Sequence, residues 1–170
     1  MSIVERSRRH YGVKKLRPGE AGKCWFHAQH PHCQDRAIFR RYGGTVGACQ
    51  GARVLNASYT SEAELCDCVA PPNYDGAFNK NFLEIGAADG QYLSNLLFFE
   101  MQMEWSGICV EGSPTSFPIL QSNRPSCRTV NAVIAKGAPG DSKVFYTFDS
   151  PGSWEIGMSC MQGGLCGSND

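Results

Sequence analysis

The stretch from residue 81 to residue 114 constrains the fold more than any other part of the chain, because short apolar runs alternate there with a glycine turn. Its first apolar run, FLEI at 82–85, has the length typical of a buried parallel strand. The turn GAADG at 86–90 follows at once, and its small residues let the backbone approach a ligand closely. The stretch therefore predicts a strand that ends at a potential binding turn.

A helix and a second strand are predicted to follow the turn. Residues 92–101 carry apolar side chains at positions 93, 96, 97 and 101, which fall on one face of a helix. Gly107 then leads into the apolar run ICV at 108–110, which ends at Glu111. This order of strand, glycine turn, helix, strand and carboxylate is typical of the first half of a nucleotide-binding βαβ unit.

The turn and the carboxylate together indicate the kind of ligand. In such a unit the ligand lies beyond the carboxyl ends of the strands, where the glycine turn meets the helix. Glu111 follows Gly90 at close to the spacing of about 20 residues expected for a carboxylate that binds ribose hydroxyls. The turn has glycine only at 86 and 90, and no basic residue follows it to hold a pyrophosphate. The pattern favours S-adenosylmethionine, an adenosyl ligand without phosphates, over NAD or FAD.

Six short motifs follow one another in order through this part of the chain. They are FLEIGAADG at 82–90, LSN at 93–95, FFE at 98–100, WSGICVE at 105–111, NRP at 123–125 and VNA at 130–132. Their order and spacing resemble the start of the FkbM family of S-adenosylmethionine-dependent methyltransferases, over residues 78–150. The resemblance implies a Rossmann-like sheet, S-adenosylmethionine as cofactor, and methyl transfer to a hydroxyl on a sugar or small molecule.

The resemblance also implies a set of cofactor-binding residues. They are Glu84, Gly86, Ala88, Asp89, Gly90, Glu111 and Asn131. Glu84 has two interpretations, because its carboxylate could fix the turn or bind the amino group of the methionine. Asp89 could equally cap the helix by accepting backbone N–H bonds. Asn131 is implied to lie beside the adenine.

Beyond Glu111 the sequence predicts a helix over 115–123, a third strand over 127–134 and a fourth, antiparallel strand over 143–148. The residues after 149 are rich in glycine and contain no further strand–helix unit. We therefore expect an α/β fold whose Rossmann-like methyltransferase sheet is truncated after three or four strands, with an exposed edge and an uncovered face. No catalytic base is predicted, because all four histidines lie in the N-terminal part.

Residues 1–76 combine weak periodicity with many breakers, which predicts an irregular, Cys-containing and partly disordered extension. Short helical turns are expected at 37–42 or 61–65. Cys24 and Cys33 flank a histidine-rich run, but their spacing does not match a zinc knuckle, so a disulfide or free thiols is favoured over a metal. The turn-rich run at 71–76 is the predicted boundary before a domain over 77–150 and a glycine-rich tail over 151–170.

The net charge and the lengths of the apolar runs limit the kinds of partner that the sequence predicts. The 16 basic and 16 acidic side chains give a formal net charge of zero, so no general attraction to nucleic acid is implied. No apolar run approaches the ~20 residues of a membrane span. The expected partner is a small-molecule or glycan hydroxyl acceptor. The alternative function is an inactive methyltransferase-like binding or interaction module.

The sequence gives two opposing indications of compartment. The first residues do not resemble a signal peptide, which favours the cytoplasm. Nine cysteines and the glycosylation sequon Asn56-Ala57-Ser58 keep the secretory pathway open if the natural chain begins upstream of Met1.

Overall fold

The computed structural model describes residues 5, 8–9, 13–27, 34–56, 59–91, 94–138, 144–147 and 160–161. In chain order the helices and strands are β1 Ala21–His27, α1 Gln34–Arg41, β2 Thr45–Asn56, β3 Tyr59–Val69, α2 Tyr74–Ala77, β4 Asn81–Ile85, α3 Leu97–Gln102, β5 Ser106–Glu111, α4 Ser116–Asn123, β6 Arg128–Asn131, β7 Phe145–Tyr146 and β8 Cys160–Met161. They form an antiparallel sheet β1-β3-β2, a parallel sheet β4-β5-β6 and a small sheet β7-β8. The protein is therefore an α/β protein in which parallel and antiparallel sheets occur together.

The antiparallel sheet occupies the part of the chain that the sequence presented as irregular. β1 pairs with β3 from Ala21↔Val69 to His27↔Ala63, and β2 pairs with the other edge of β3. The disulfides Cys24–Cys68 and Cys49–Cys66 each join two strands of this sheet. The prediction of an irregular segment is wrong here, because cross-strand pairing and disulfides replace the regular apolar alternation that would have indicated strands.

The two short helical turns predicted in this region have different outcomes. The turn expected at 37–42 is confirmed as part of α1, which packs Phe39 into the core. The turn expected at 61–65 is wrong, because those residues belong to β3. Pairing with both neighbouring strands decides the conformation of that segment.

An aromatic core links the antiparallel sheet to the helix that follows the glycine turn. Phe98 of α3 lies 4.5 Å from Phe26 of β1 and 5.3 Å from Phe39 of α1, measured between ring centroids. Phe99 stacks on Trp105 at 4.4 Å. All six residues of α3 are buried. This helix therefore has no solvent-facing stripe, and it joins the packing of the two sheets.

Gln102, at the end of α3, provides hydrogen bonds to the outer edge of β1. Its Oε1 accepts the N–H of Trp25 at 2.8 Å, and its Nε2 donates to the carbonyl oxygens of Lys14 and Lys23 at 3.0 and 2.9 Å. The side chain is fully buried, with 0% exposure. Its amide satisfies backbone groups that an edge strand would otherwise leave unpaired.

The parallel sheet confirms the predicted strand pair on either side of the glycine turn. Asn81 to Ile85 of β4 lie opposite Ser106 to Val110 of β5, and Glu111 lies opposite Asn131 of β6. The predicted helix over 115–123 is confirmed as α4, whereas the third strand is shorter than expected. Among the described residues, the helix expected over 92–101 begins only at Leu97, whose N–H binds the Ser94 hydroxyl in the bend before it.

One face of the parallel sheet exposes most of its apolar side chains, although Val110 on that face is buried. Leu83 and Ile85 are 56% and 57% exposed, and Ile108 and Val130 are exposed as well. On the opposite face Cys109 is buried and forms a disulfide with Cys127, beside Leu120 of α4. The expected uncovered face is thus confirmed in part, at the four exposed side chains.

Two further expectations concern the C-terminal part and membranes. The predicted fourth strand is present as β7, which pairs antiparallel with β8 and not with the parallel sheet. Most of the predicted tail over 151–170 lies outside the described residues, as do Cys33 and the histidines beside it. Within the described ranges, no helix has both the length and the apolar character of a membrane span.

Candidate functional site

The glycine bend lies at the carboxyl edge of the parallel sheet. The N–H groups of Gly86 and Ala87 donate to the carbonyl oxygen of Val110 at 2.9 and 3.0 Å, which ties the start of the bend to β5. Gly86 and Gly90 have φ values of +71° and +81°, and Ala88 has +48°. These left-handed conformations favour glycine, so the two glycines of the motif are required by the path of the backbone.

Glu111 and the glycine bend meet directly. Glu111 Oε2 accepts the N–H of Ala88 at 2.8 Å, and Oε1 accepts the N–H of Ser113 at 2.7 Å. The residue is only 5% exposed. A carboxylate has about four lone-pair sites, so each oxygen retains acceptor capacity beyond these two bonds. The arrangement holds the carboxylate rigidly against the bend and can accept hydrogen bonds from neighbouring hydroxyls.

Asn131 lies beside Glu111 on the next strand. Its Nδ2 donates to the carbonyl oxygen of Glu111 at 2.8 Å, and the N–H of Ala132 donates to the same oxygen at 3.1 Å. The two predicted site residues are thus held side by side at the ends of β5 and β6. The parallel register explains this proximity, because strands that run in the same direction end at a common edge.

Glu84 takes part in a buried network below the bend. Its Oε1 accepts the Ser94 hydroxyl at 2.7 Å, and its Oε2 lies 3.1 Å from Nη1 of Arg124. Of the two interpretations that the sequence left open for Glu84, these contacts favour the carboxylate that fixes the turn. They do not by themselves test a contact with the methionine amino group.

Arg124 organises the bend, although the sequence assigned it no role. Its guanidinium is completely buried, with 0% side-chain exposure, and its Nη1 donates to the carbonyl oxygen of Gly90 and to Ser94 Oγ at 2.9 Å each. Its Nε donates to Oε2 of Glu100 at 2.6 Å. Glu100 also accepts a hydrogen bond from Ser126. One guanidinium therefore joins β4, the bend and α3.

A sequence signal for this network exists in retrospect. Glu84 and Glu100 both lie within predominantly apolar segments, and carboxylates are almost never fully buried without a partner. Arg124 follows the predicted helix directly, a position at which a basic side chain usually faces solvent. Only the three-dimensional packing brings the three charges together.

Gly90 is constrained by its contact with Arg124. A Cβ atom at this position would lie 2.5 Å from Cγ of Arg124 and 2.7 Å from Cδ1 of Leu120. At Gly86 a Cβ atom would meet no atom within 4 Å. The first glycine is thus needed for its conformation alone, whereas the second is also needed for space.

Asp89 caps the bend and not the helix. Its Oδ1 accepts the N–H of Gln91 at 2.9 Å, and its backbone carbonyl accepts a hydrogen bond from Asn123 Nδ2 at 2.8 Å. Helix α3 begins later, at Leu97. Among the described residues, the first helix after Asp89 is α3 and its N-cap residue is Leu96, so Asp89 is not the cap of that helix.

The charge balance around the bend is negative. The carboxylates of Glu84 and Glu100 pair with the guanidinium of Arg124. Those of Asp89 and Glu111 accept hydrogen bonds from backbone N–H groups. Arg124 is itself surrounded by carboxylate, carbonyl and hydroxyl oxygens. Such a wall opposes a pyrophosphate and favours a ligand that carries positive charge.

Apolar side chains that the sequence did not single out lie next to Glu111. A Cβ atom at Gly112 would be 2.5 Å from Cγ2 of Val133 and 3.0 Å from Cε1 of Phe145. The segments that follow β6 and form β7 therefore cross the end of β5. They place an aliphatic and an aromatic side chain beside the acidic strand end.

Two other features of the described structure lie away from the glycine bend. The potential ligand atoms of Cys49, Glu64 and Cys66 lie close together, but the two sulfurs form a disulfide and Glu64 is paired with Arg36. An open groove of about 530 Å³ crosses the antiparallel sheet near the exposed ion pair Lys23–Asp67. Neither contains a residue of the predicted cofactor set.

The comparisons with known proteins do not assign the chain to a family. No known family model matches the sequence, and no curated protein matches it. What the structure defines is a class, an α/β protein with one parallel and one antiparallel three-stranded sheet and a carboxylate-bearing glycine bend.

Proposed function

We propose that the chain binds S-adenosylmethionine at the carboxyl edge of the parallel sheet and belongs to a methyltransferase of the FkbM type. The acceptor proposed is a hydroxyl on a sugar or small molecule. The observation that carries the proposal is the hydrogen bond from the Ala88 N–H to Glu111 Oε2 at 2.8 Å. It supports a common crevice for the glycine bend and the ribose-binding carboxylate, which is the arrangement that an adenosyl ligand requires.

The electrostatics of the bend support this cofactor over a dinucleotide. S-adenosylmethionine carries a sulfonium and an ammonium group, whereas NAD and FAD carry a pyrophosphate. The carboxylates of Glu84, Asp89 and Glu111 outnumber the guanidinium of Arg124, which is itself already paired. A cationic ligand gains from this field, and a phosphate would be repelled by it.

The residues of the chain would bind and orient the cofactor. Glu111 would accept hydrogen bonds from the ribose hydroxyls, and Asn131 with Val133 and Phe145 would adjoin the adenine. The glycine bend would lie against the methionine portion, since its small residues let the backbone come close. When bound, the cofactor supplies the methyl group on its sulfonium, and the contribution expected of the protein is alignment and exclusion of water.

The experiment is isothermal titration of the chain with S-adenosylmethionine, with NAD as the competing ligand class. We expect binding of S-adenosylmethionine and none of NAD. Glu111→Gln keeps the shape of the side chain and one acceptor oxygen but removes the charge, so the affinity should fall by about 1–3 kcal/mol. Glu20→Gln, at an exposed carboxylate near the antiparallel sheet, is the matched control and should leave the affinity unchanged.

The outcomes separate the parts of the proposal. Absence of binding to the unaltered chain would contradict the cofactor assignment. Binding that is equally strong in Glu111→Gln and in Glu20→Gln would contradict the ribose-binding role of Glu111 alone. Binding followed by methyl transfer to hydroxylated acceptors would support the enzyme.

A second candidate function, an inactive methyltransferase-like binding or interaction module, is favoured by the uncovered face of the parallel sheet. Leu83, Ile85, Ile108 and Val130 are exposed there. Parallel sheets are normally covered on both faces, and exposed apolar patches often mark contact surfaces. Cofactor binding without methyl transfer to any hydroxylated acceptor would favour this second candidate over the enzyme.

A further inference from the structure

We propose that Cys49, Cys66 and Glu64 form a zinc site that is assembled when the disulfide Cys49–Cys66 is reduced. This inference is independent of the proposed methyltransferase function, because these residues belong to β2 and β3 of the antiparallel sheet. In the described part of the chain, the two Sγ atoms and a carboxylate oxygen of Glu64 lie within 4.8 Å of one another. Thiolate sulfur and carboxylate oxygen are both zinc ligands, and a water can complete a tetrahedral site with three protein ligands.

The pairing of β2 with β3 brings the three side chains together. Cys49 lies directly opposite Cys66, and Glu64 lies two residues before Cys66 on the same strand. Side chains two residues apart point to the same face of a strand, so Glu64 and Cys66 share a face. Asp67, the next residue, points to the other face, where it pairs with Lys23. The cluster therefore depends on the register of the sheet and contains one of the two neighbouring carboxylates.

The disulfide in this cluster is open to solvent on one side. Cys49 is exposed, whereas Cys66 and both members of the other two described disulfides are buried. Thiol–disulfide exchange requires that a thiolate reach one of the sulfurs, and exposed disulfides are the labile ones. A thiol reductant should therefore open Cys49–Cys66 before the other two.

The opening is a two-electron exchange with a thiol as the reductant, either a small molecule or a protein. A reductant thiolate attacks Sγ of Cys49, the S–S bond breaks, and Sγ of Cys66 leaves with the electron pair as a thiolate. A second reductant thiolate attacks the reductant sulfur of the mixed disulfide, which releases Cys49 as a thiolate and forms the oxidised reductant. Zinc then binds the two thiolates without any change in oxidation state.

The charges around the cluster suit a divalent cation. Two thiolates and the Glu64 carboxylate carry three negative charges, of which Zn²⁺ compensates two. The guanidinium of Arg36 contacts Oε2 of Glu64 and supplies the remaining positive charge. Arg36 itself lies over the Phe26 ring, with Cζ 5.7 Å from the ring centroid. Since a carboxylate has about four lone-pair sites, the pair with Arg36 leaves Glu64 acceptor capacity for the metal.

The test uses the full chain, in which alkylation first blocks every thiol that is free while the disulfides are intact. A phosphine then opens the most accessible disulfide, and mass spectrometry maps the new thiols, which we expect at Cys49 and Cys66. Titration calorimetry with Zn²⁺ should show one equivalent bound after reduction and none before. Co²⁺ used in place of Zn²⁺ should give a thiolate-to-metal charge-transfer band, which reports that sulfur is a ligand.

Variants of the cluster identify its ligands. In the reduced chain, Glu64→Gln should weaken Zn²⁺ binding at least as much as loss of a group that only supports a ligand, which is about 10–100-fold. Asp67→Asn, at the neighbouring carboxylate on the other face, is the matched control and should leave the affinity unchanged. The double variant Cys49→Ala and Cys66→Ala should lack the charge-transfer band.

The unaltered chain is sufficient to overturn the proposal. It is wrong if no Zn²⁺ binds once Cys49 and Cys66 are shown to be reduced, or if the oxidised chain binds Zn²⁺ equally well. Equal affinity of Glu64→Gln and Asp67→Asn would exclude Glu64 as a ligand. Retention of the other two described disulfides in the same map shows that the fold persists. Their loss together with Cys49–Cys66 would contradict the selective opening on which the site depends.

Discussion

The two three-stranded sheets of this protein are stabilised by different means. In the antiparallel sheet, the disulfides Cys24–Cys68 and Cys49–Cys66 tie neighbouring strands together, and Phe26 of β1 packs against Phe39 of α1. In the parallel sheet, the strand ends are held by hydrogen bonds to buried charges, those of Glu111 and of the Glu84–Arg124–Glu100 network. Two of the three described disulfides join strands of the first sheet and one, Cys109–Cys127, lies at the second, whereas the buried charges are concentrated at the parallel sheet, where we propose a ligand.

This difference has a functional meaning. Buried charges cost desolvation energy and stabilise a fold less than apolar residues of the same size, so their presence calls for an explanation. At the glycine bend they bind backbone groups, since Glu111 accepts the N–H of Ala88 and Arg124 donates to the carbonyl oxygen of Gly90. We therefore infer that the parallel sheet gives up some stability for a shaped site, and that the antiparallel sheet serves as its support.

The largest effect is expected from removal of the buried guanidinium. Arg124→Met would leave the carboxylates of Glu84 and Glu100 without their partner, and loss of one member of a buried ion pair typically costs about 3–5 kcal/mol. Urea unfolding measures the difference in free energy. Arg128→Met, at an exposed arginine at the start of β6, is the matched control. Equal stability of the two variants would contradict the polar organisation proposed for this sheet.

Removal of one disulfide from each sheet tests how much the stability of each sheet depends on its covalent link. The bridge Cys24–Cys68 spans 44 residues and Cys109–Cys127 spans 18. Loop-closure entropy predicts losses of about 4 and about 3 kcal/mol when each pair is replaced by alanine. The measurement is again urea unfolding, with both variants under the same conditions. A larger loss for the shorter bridge would mean that the parallel sheet, and not the antiparallel one, depends more on its covalent link.

Alanine substitutions at the two glycines of the bend are expected to differ in their cost to stability. Gly86→Ala and Gly90→Ala both force alanine into a left-handed conformation, which costs about 1–2 kcal/mol. Gly90→Ala also drives a Cβ atom to within 2.5 Å of Arg124, so overpacking should add about 1–3 kcal/mol. Thermal and urea unfolding of the pair measure that difference. If the two variants were equally stable, the close contact between Gly90 and Arg124 would not exist in solution.

The smallest effect on stability is expected from the surface ion pair between Lys15 and Glu104. Burial raises the pKa of Glu104, but hydrogen bonds from Lys15 and Tyr74 and the charges of Lys15 and Arg8 lower it more, so that the pKa lies below the ordinary 4.5. Such a half-exposed pair contributes about 0.2–1 kcal/mol. Because the folded-state pKa is depressed, this contribution is present at neutral pH and is lost as the pH falls through the folded-state value.

The stability difference between the unaltered chain and Glu104→Gln measures this contribution. It should be constant near neutral pH and should shrink in acid, below the ordinary pKa of 4.5. A difference that stayed constant down to strongly acidic pH would contradict the assigned interaction. Glu20→Gln, at another exposed carboxylate, serves as the reference substitution.

The sequence predicted the parallel sheet well because its signals are local. The apolar runs at 82–85 and 108–110 and the intervening glycines are sufficient to indicate β4, the bend and β5. The proximity of Glu111 to the bend followed from the general geometry of parallel strands. Among the described residues helix α3 begins later than predicted, because its apolar pattern begins upstream of Leu97, in residues that form a bend and not a helix.

The antiparallel sheet and the Arg124 network escaped prediction for a different reason. β2 pairs with β3 through several shifts in register, which erase the regular alternation of a strand. Glu84, Glu100 and Arg124 belong to separate segments of the chain. Their spacing in the sequence does not predict that the three charged side chains are in contact. The domain boundary at 71–76 and the FkbM assignment remain predictions.

The most direct test of the proposed crevice is hydrogen–deuterium exchange of the full chain with and without S-adenosylmethionine. We predict slower exchange in peptides that contain the bend at 86–91 and the strand end at 111–113, and unchanged exchange in the antiparallel sheet. Binding that leaves exchange at 86–91 and 111–113 unchanged, or slows it only in the antiparallel sheet, would contradict a cofactor site at the carboxyl edge of the parallel sheet.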